Sequence, residues 1–189
     1  MDSEWSFKGL PPDGVAVLAL GGNLGDVEAA FRAALSSLGE RGLELLRASS
    51  LYRTKAVGCE PGAPDFLNAV VLGRWKDSPQ SLLAVCKELE GRAGRPSEHP
   101  HWHSRALDID IIAFGSCEVS GASLNVPHPL ALERLFVVEP FAEIAPEARI
   151  PGCGVELAEA LRRLLLQSGG VRSVAMPFRI QLTAKASEG

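Results

Sequence analysis

A chain of 189 residues that is 46% hydrophobic and 22% charged has the make-up of one globular domain with a sizeable core, which excludes disordered, coiled-coil and collagen-like architectures. Nineteen Lys and Arg against 23 Asp and Glu give a net charge of -4, so the chain carries no broad electrostatic footprint for DNA or RNA. Any polyanion it takes must be small and met by a local cluster.

The longest fully apolar run, VAVLAL at residues 15–20, falls far short of the ~20 residues a membrane span needs. The start, MDSEWSFKGLPPDG, is acidic and broken by two prolines, unlike a cleaved secretory signal. A cytoplasmic protein is expected, with no membrane contact. Cys59, Cys86, Cys117 and Cys153 are widely spaced with no CxxC pair and are expected to be reduced thiols, mostly packing groups.

Residues 15–20 read as a buried strand, and Gly21, Gly22 and Gly25 form a turn ending at Asp26, a good helix N-cap. Phe31, Ala34, Leu35 and Leu38 follow at helical spacing until Gly39 and Gly42. Two strand-like stretches, about 43–53 and 66–75, flank the loop GCEPGAP, which permits an antiparallel pair. Ser78 and Pro79 open a second helix with Leu82, Val85, Cys86 and Leu89 on its apolar side. The loop RPSEHPHWHSR then leads into a strand at 107–114. This order predicts an α/β (α+β) fold, a ferredoxin-like βαββαβ sandwich with a mostly antiparallel sheet. From residue 124 onward a proline-punctuated stretch, a helix at about 155–167 and a short strand or tail read as C-terminal additions. One domain over 1–189 is expected, with tails at 1–14 and about 177–189.

Asp108 and Asp110 carry the strongest chemical signal, because a strand puts i and i+2 on one face roughly 6 to 7 Å apart. Ile109 and Ile111 point the other way, and Ile112 and Phe114 are expected to continue the acidic face as apolar positions. Two such carboxylates repel unless a cation lies between them or one takes a proton, and hard oxygen ligands suit Mg2+ held together with phosphates. A pair of exposed strand-end aspartates fits the pattern equally. Residues 91–107 add Arg92, Arg95 and Arg105 against Glu98 alone, a local +2 with His99, His101 and His103 interleaved. That cluster is either a solvated basic loop or a place where a metal and a phosphate chain are both charge-matched.

HPHWH lacks a matched Cys or His set at zinc spacing, and His128 sits in VPHP between stiffening prolines. GGNLGD is neither GxGxxG nor a Walker loop, and reads as a tight turn in preference to a phosphate nest. Two functional classes stay open on these residues: an Mg2+-dependent phosphotransferase or nucleotide hydrolase built on the Asp pair, and a non-catalytic metal-binding ferredoxin-like module.

Taken together, ALGGNLGD, SSLYRTKAVG, PDFLNAVV, LEGRAGR, WHSRALDIDIIAFG and NVPHPLALERLFVVEPFAEIAP, in this order over about residues 15–150, resemble the 6-hydroxymethyl-7,8-dihydropterin pyrophosphokinases of folate biosynthesis. The R-x-x-D-x-D block, with His128 eighteen residues beyond Asp110, is the most specific part. The resemblance implies a single catalytic domain that transfers the β,γ-pyrophosphate of ATP to the hydroxymethyl oxygen of the dihydropterin and releases AMP. It implies that Asp108 and Asp110 hold two Mg2+ ions, and that Arg95, Arg105, His128 and Arg134 contact phosphates, with Arg95 and Arg105 counted as catalytic. Trp102 would close over ATP from a lid loop and Ile111 would contact it too. Phe66 and Phe136 would stack the pterin, Asn68 would pair with its ring, and Thr54 and Val57 would offer mainly backbone contacts. Where the family has Gly-Pro after the loop tryptophan this chain has His103-Ser104, Ser97 replaces a loop arginine, and Lys55 replaces a proline, which implies a less rigid pterin-side loop.

Overall fold

The computed structural model describes residues 9, 11–56, 59–94, 104–168 and 173–178. Strand β1 (Val15–Gly22) is buried along nearly its whole length and runs two residues past its apolar stretch, through Gly21 and Gly22. Helix α1 (Val27–Glu40) starts where Asp26 accepts the Ala29 amide at 3.0 Å, and it buries Phe31, Ala34, Leu35 and Leu38 as their spacing predicts. Gly39 stays helical, and the chain turns at Gly42, whose φ of 106° suits a residue without Cβ.

The stretch expected as one strand over 43–53 is two, β2 (Glu44–Ala48) and β3 (Leu51–Thr54). Ser49 makes the break: its N–H donates to the Val70 carbonyl and its Oγ accepts the Val70 N–H, both at 2.9 Å, so a side chain replaces one rung of the ladder. Both strands pair with β4 (Phe66–Arg74). Helix α2 (Pro79–Arg92) begins as expected with Ser78 as N-cap, its Oγ taking the Ser81 amide. Strand β5 (Asp108–Phe114) returns beside β1. Short β6 (Val119–Ser120) and β7 (Asn125–Val126) pair with each other, and β8 (Val174–Met176) pairs with β3 at the far edge.

The sheet order β5-β1-β4-β3-β8, with β2 on β4 and every pairing antiparallel, is the ferredoxin-like order once β2 and β3 are counted as one broken strand. One face, with Leu18, Leu20, Val71, Ile109 and Ile111, packs on Phe31 and Leu38 of α1 and Leu82 and Leu89 of α2. The other, with Val15, Val17, Val70, Leu72 and Ile112, packs on α3 (Leu135–Ile144) and α4 (Leu157–Gln167). The C-terminal additions therefore form the second layer of the fold.

Helix α3 is where sequence reading misjudged the chain. Pro140, one of the prolines that punctuate the sequence after residue 124, lies inside it, yet the helix is buried through Val137, Val138, Phe141, Ala142 and Ile144. Burial on that scale, roughly 1.5–3 kcal/mol per large side chain, outweighs the ~3 kcal/mol an interior proline costs. The strand β5 also departs from simple alternation: a bulge between the Leu18–Ile111 and Val17–Ala113 pairs turns Phe114 onto the α1/α2 face, away from Asp108 and Asp110. Of the cysteines only Cys86 is a packing group; burial pushes its thiol up to about 12, and Cys117 and Cys153 are exposed.

Before β1, Gly9 exchanges backbone bonds with Glu147 and Arg149, and Pro11 is buried. After β8, Phe178 meets Phe31 edge-on at 6.3 Å. At the end of β1, a Cβ on Gly22 would stand 2.5 Å from the Ala106 carbonyl oxygen. Gly22→Ala should lower stability by about 2 kcal/mol, within the 1–3 kcal/mol that overpacking costs, as measured by urea unfolding. A parent-like midpoint would show that the 104–107 segment yields freely.

Candidate active site

Residues paired across an antiparallel sheet share a face, so the register alone builds the site. Asp108 lies opposite Gly21, Gly21 opposite Asn68, and Asn68 opposite Tyr52. One step along the strands Asp110 pairs with Ala19, and at the other end of the row Phe66 pairs with Thr54. All of these sit on the α3 face of the sheet, with Ala19 at the edge of its apolar packing. The row is flat at its centre because Gly21 has no side chain: a Cβ there would reach 3.5 Å from Asn68 Oδ1.

Asn68 is 5% exposed and its orientation is fixed. Its amide nitrogen donates to Thr54 Oγ1 at 2.9 Å and more weakly to the Tyr52 carbonyl at 3.4 Å, which turns Oδ1 toward Gly21 as an acceptor. Tyr52 in turn donates to Glu143 of α3 at 2.8 Å, and Glu143 also takes Ser50 N–H and Oγ. Helix α3 is thereby pinned to the sheet, and with it Phe136, which is 39% exposed at the helix start. The Arg134 guanidinium lies over the Phe136 ring at 5.7 Å.

At the acidic end, Arg105 Nη1 donates to Asp108 Oδ2 at 2.7 Å, and Arg134 Nη1 is 3.8 Å from Asp110 Oδ2. Burial first, and repulsion from Asp108 second, push the Asp110 carboxyl above the usual carboxylate range; His128, Lys87 and Arg134 pull the other way without cancelling it. His128 is held by its N–H on the Ile112 carbonyl at 2.9 Å, and its Nδ1 accepts the Leu130 amide at 3.1 Å. The ring proton of the neutral form is thus on Nε2. Burial lowers the His128 pKa, a shift opposed by Asp110 and Asp108 and aided by Arg134.

Sequence reasoning missed Glu90. It is 1% exposed, accepts the Ile109 N–H at 2.8 Å between the two aspartates, and takes Lys87 Nζ at 2.9 Å. Burial drives its carboxyl upward. A charged residue following Leu89 on the buried side of α2 was the available signal. Ile111, by contrast, is 3% exposed in the α1/α2 core, so only its backbone can meet a ligand. Val57, Arg95 and Trp102 lie outside the described residues. The GGNLGD turn is the tight turn expected: Gly25 has φ 68°, and the Asn23 and Leu24 amides both donate to the Arg105 carbonyl. Lys55 pairs with Asp65 at 3.0 Å across the mouth of the β3–β4 loop, a tie where the resemblance implied only a looser loop.

The fold is an α/β sandwich of ferredoxin-like order, and one row of its sheet carries two carboxylates with arginines at one end and a fixed amide at the other. Residues 17–146 match the model of the 7,8-dihydro-6-hydroxymethylpterin-pyrophosphokinase family, and the chain belongs to that family. It is 37% identical over 150 residues to the 2-amino-4-hydroxy-6-hydroxymethyldihydropteridine pyrophosphokinase of Synechocystis, covering 79% of this chain and 75% of that one. Identity to the enzyme of the same name from Bacillus subtilis is 35% over 158 residues, covering 83% and 93%. In Methylorubrum extorquens it is 39% over 150 residues, covering 79% and 92%. The fold is similar to wild-type Plasmodium falciparum HPPK-DHPS crystallised with pteroate, with a TM-score of 0.64 at 13% identity over 84% of this chain. This chain spans 46% of that longer one. Among the described residues no helix is long and apolar enough to cross a membrane.

Proposed function

We propose that ATP and 6-hydroxymethyl-7,8-dihydropterin meet on the row formed by β5, β1 and β4. As a member of its family the chain is an ATP-dependent pyrophosphokinase of folate biosynthesis. The observation that supports the residue assignment is the Asp108–Gly21–Asn68 alignment: a charged end suited to phosphates, a flat centre, and an amide end suited to a heterocycle. In the reaction the pterin hydroxyl oxygen bonds to the β-phosphorus of ATP. The bond between that phosphorus and the oxygen bridging to the α-phosphate breaks, AMP leaves with that oxygen, and the hydroxyl proton passes to solvent. No protein nucleophile is needed, so catalysis is positioning and charge stabilisation.

The donor set fits a hard divalent cation. Asp110 carries charge that its surroundings do not fully neutralise, and among the described residues no third His, Cys, Asp or Glu completes a closed cage, so remaining ligands would be phosphates and water. Asp108 and Asp110 would hold two Mg2+ ions, which would supply charge neutralisation of the triphosphate and of the leaving oxygen. Arg105, Arg134 and Arg95 take phosphate oxygens, and His128 offers its Nε2–H as a neutral donor. Trp102 closes over ATP, and Ile111 meets it through its backbone. Phe66 and Phe136 sandwich the pterin ring, Asn68 Oδ1 accepts from it, and Thr54 and Val57 border it. The setting is cytoplasmic, with no role for membrane or nucleic acid.

Nucleotide analysis after incubation with Mg2+ and ATP tests this directly. AMP should form one for one with pterin diphosphate and only when the dihydropterin is present. ADP as the product would instead favour simple kinase chemistry on the same Asp pair.

A further inference from the structure

Asn23 does not belong to either ligand-binding end, yet its side chain makes three hydrogen bonds beside the site. It follows β1 in a turn whose next residue, Leu24, is 42% exposed, but Asn23 itself is only 4% exposed. A polar side chain that deep must satisfy both its acceptor and its donors. Asn23 Oδ1 accepts the Arg105 N–H at 2.8 Å, and the Asn23 N–H returns a bond to the Arg105 carbonyl at 2.8 Å. Its Nδ2 donates to the Pro64 carbonyl at 3.1 Å and to Ser104 Oγ at 2.9 Å.

These partners come from the two ends of the site. Pro64 lies two residues before Phe66 and the start of β4, on the side assigned to the pterin. Ser104 and Arg105 lie on the phosphate side, where Arg105 also holds Asp108. They are 41 and 81–82 residues from Asn23 in sequence, so no local structure sets their spacing. One amide does so, with its acceptor and one donor hydrogen on the phosphate side and its other donor hydrogen on the pterin side.

We infer that Asn23 is a positioning residue that holds the pterin-side and phosphate-side segments at the separation needed for in-line transfer, an inference that rests on the reading of the site given above. Neither ligand needs to touch it. Its loss should leave each substrate bound but misaligned, and a displacement of about 1 Å between reacting groups costs on the order of 10²-fold in rate.

The test uses Asn23→Asp, which keeps the size and the acceptor for Arg105 but removes the donors to Pro64 and Ser104. Dissociation constants are measured for Mg2+ with α,β-methylene-ATP, and for the dihydropterin in its presence, alongside kcat for AMP formation and the thermal midpoint. The expected result is a kcat about 10²-fold below that of the parent with both dissociation constants within threefold, alongside a lower midpoint because the new carboxyl oxygen is buried against the Pro64 carbonyl. Unchanged kcat, or a loss of kcat that comes with parallel loss of both affinities, would overturn the inference. Ser104→Ala removes one of the two Nδ2 partners and should lower the single-turnover rate about threefold to fivefold at unchanged affinities. If Asn23→Asp does not fold, an unchanged rate in Ser104→Ala refutes the positioning role. Failure of the parent protein to make AMP with the pterin would refute the functional reading instead.

Discussion

Replacing Asp110 with Asn should lower kcat with Mg2+ and ATP by about 10³-fold while raising the melting temperature of the ligand-free protein. The first effect follows from removing one of two carboxylates assigned to the cations, a preorganised charge whose loss falls at the upper end of the 10²–10³ seen for single stabilising groups. The second follows from the same crowding. Asp110 sits near Asp108 with Arg134 no closer than 3.8 Å, and its carboxyl is pushed upward by burial and by that neighbour. An amide of equal size removes the repulsion.

Because the Asp110 side chain is 35% exposed, solvent screening limits the gain to about 1 kcal/mol, or about 2–4 °C in a domain of this size. The sign of the pH dependence is fixed by the raised folded-state pKa. The charged form burdens the fold above that pKa, and protonation relieves it, so the difference between parent and variant should shrink as pH falls through the raised Asp110 pKa. Scanning calorimetry at two pH values, with kcat measured alongside, checks both halves. A variant that turns over normally would remove Asp110 from the metal site, and one that melts lower would show that the carboxylate is structurally bonded and not crowded.

Much of this site was legible in the sequence because its parts obey short-range rules. Asp108 and Asp110 share a face by strand period, Asp26 and Ser78 cap their helices, and the alternation of turns and apolar runs gave the strand and helix order that the sheet shows. What escaped depends on partners far along the chain. Glu90 acquires its place only when α2 packs on β5, and Asn23 only when segments 41 and 82 residues away close on it. Helix α3 was hidden by Pro140, whose local cost is outweighed by a burial that no window of sequence displays. The bulge that reverses Phe114 has no glycine to announce it.

Phe136→Ala should weaken the dihydropterin about 10- to 100-fold, the range of one lost aromatic stack, and ATP far less. Phe136 keeps 39% of its surface exposed at the start of a helix whose next six residues are buried, so its truncation leaves the α3 core of Val137, Val138 and Phe141 in place. Among the described residues the link from this ring to the end of the row assigned to the phosphates is Arg134, whose guanidinium rests on the ring at 5.7 Å and stands 3.8 Å from Asp110. An exposed cation–π contact contributes about 0.5–1 kcal/mol, which bounds the loss of ATP affinity at roughly two- to fivefold. Calorimetric titration of each ligand, the pterin in the presence of Mg2+ and a non-hydrolysable ATP analogue, separates the two effects. Equal weakening of both would make Phe136 a prop for Arg134 and leave Phe66 as the pterin's platform.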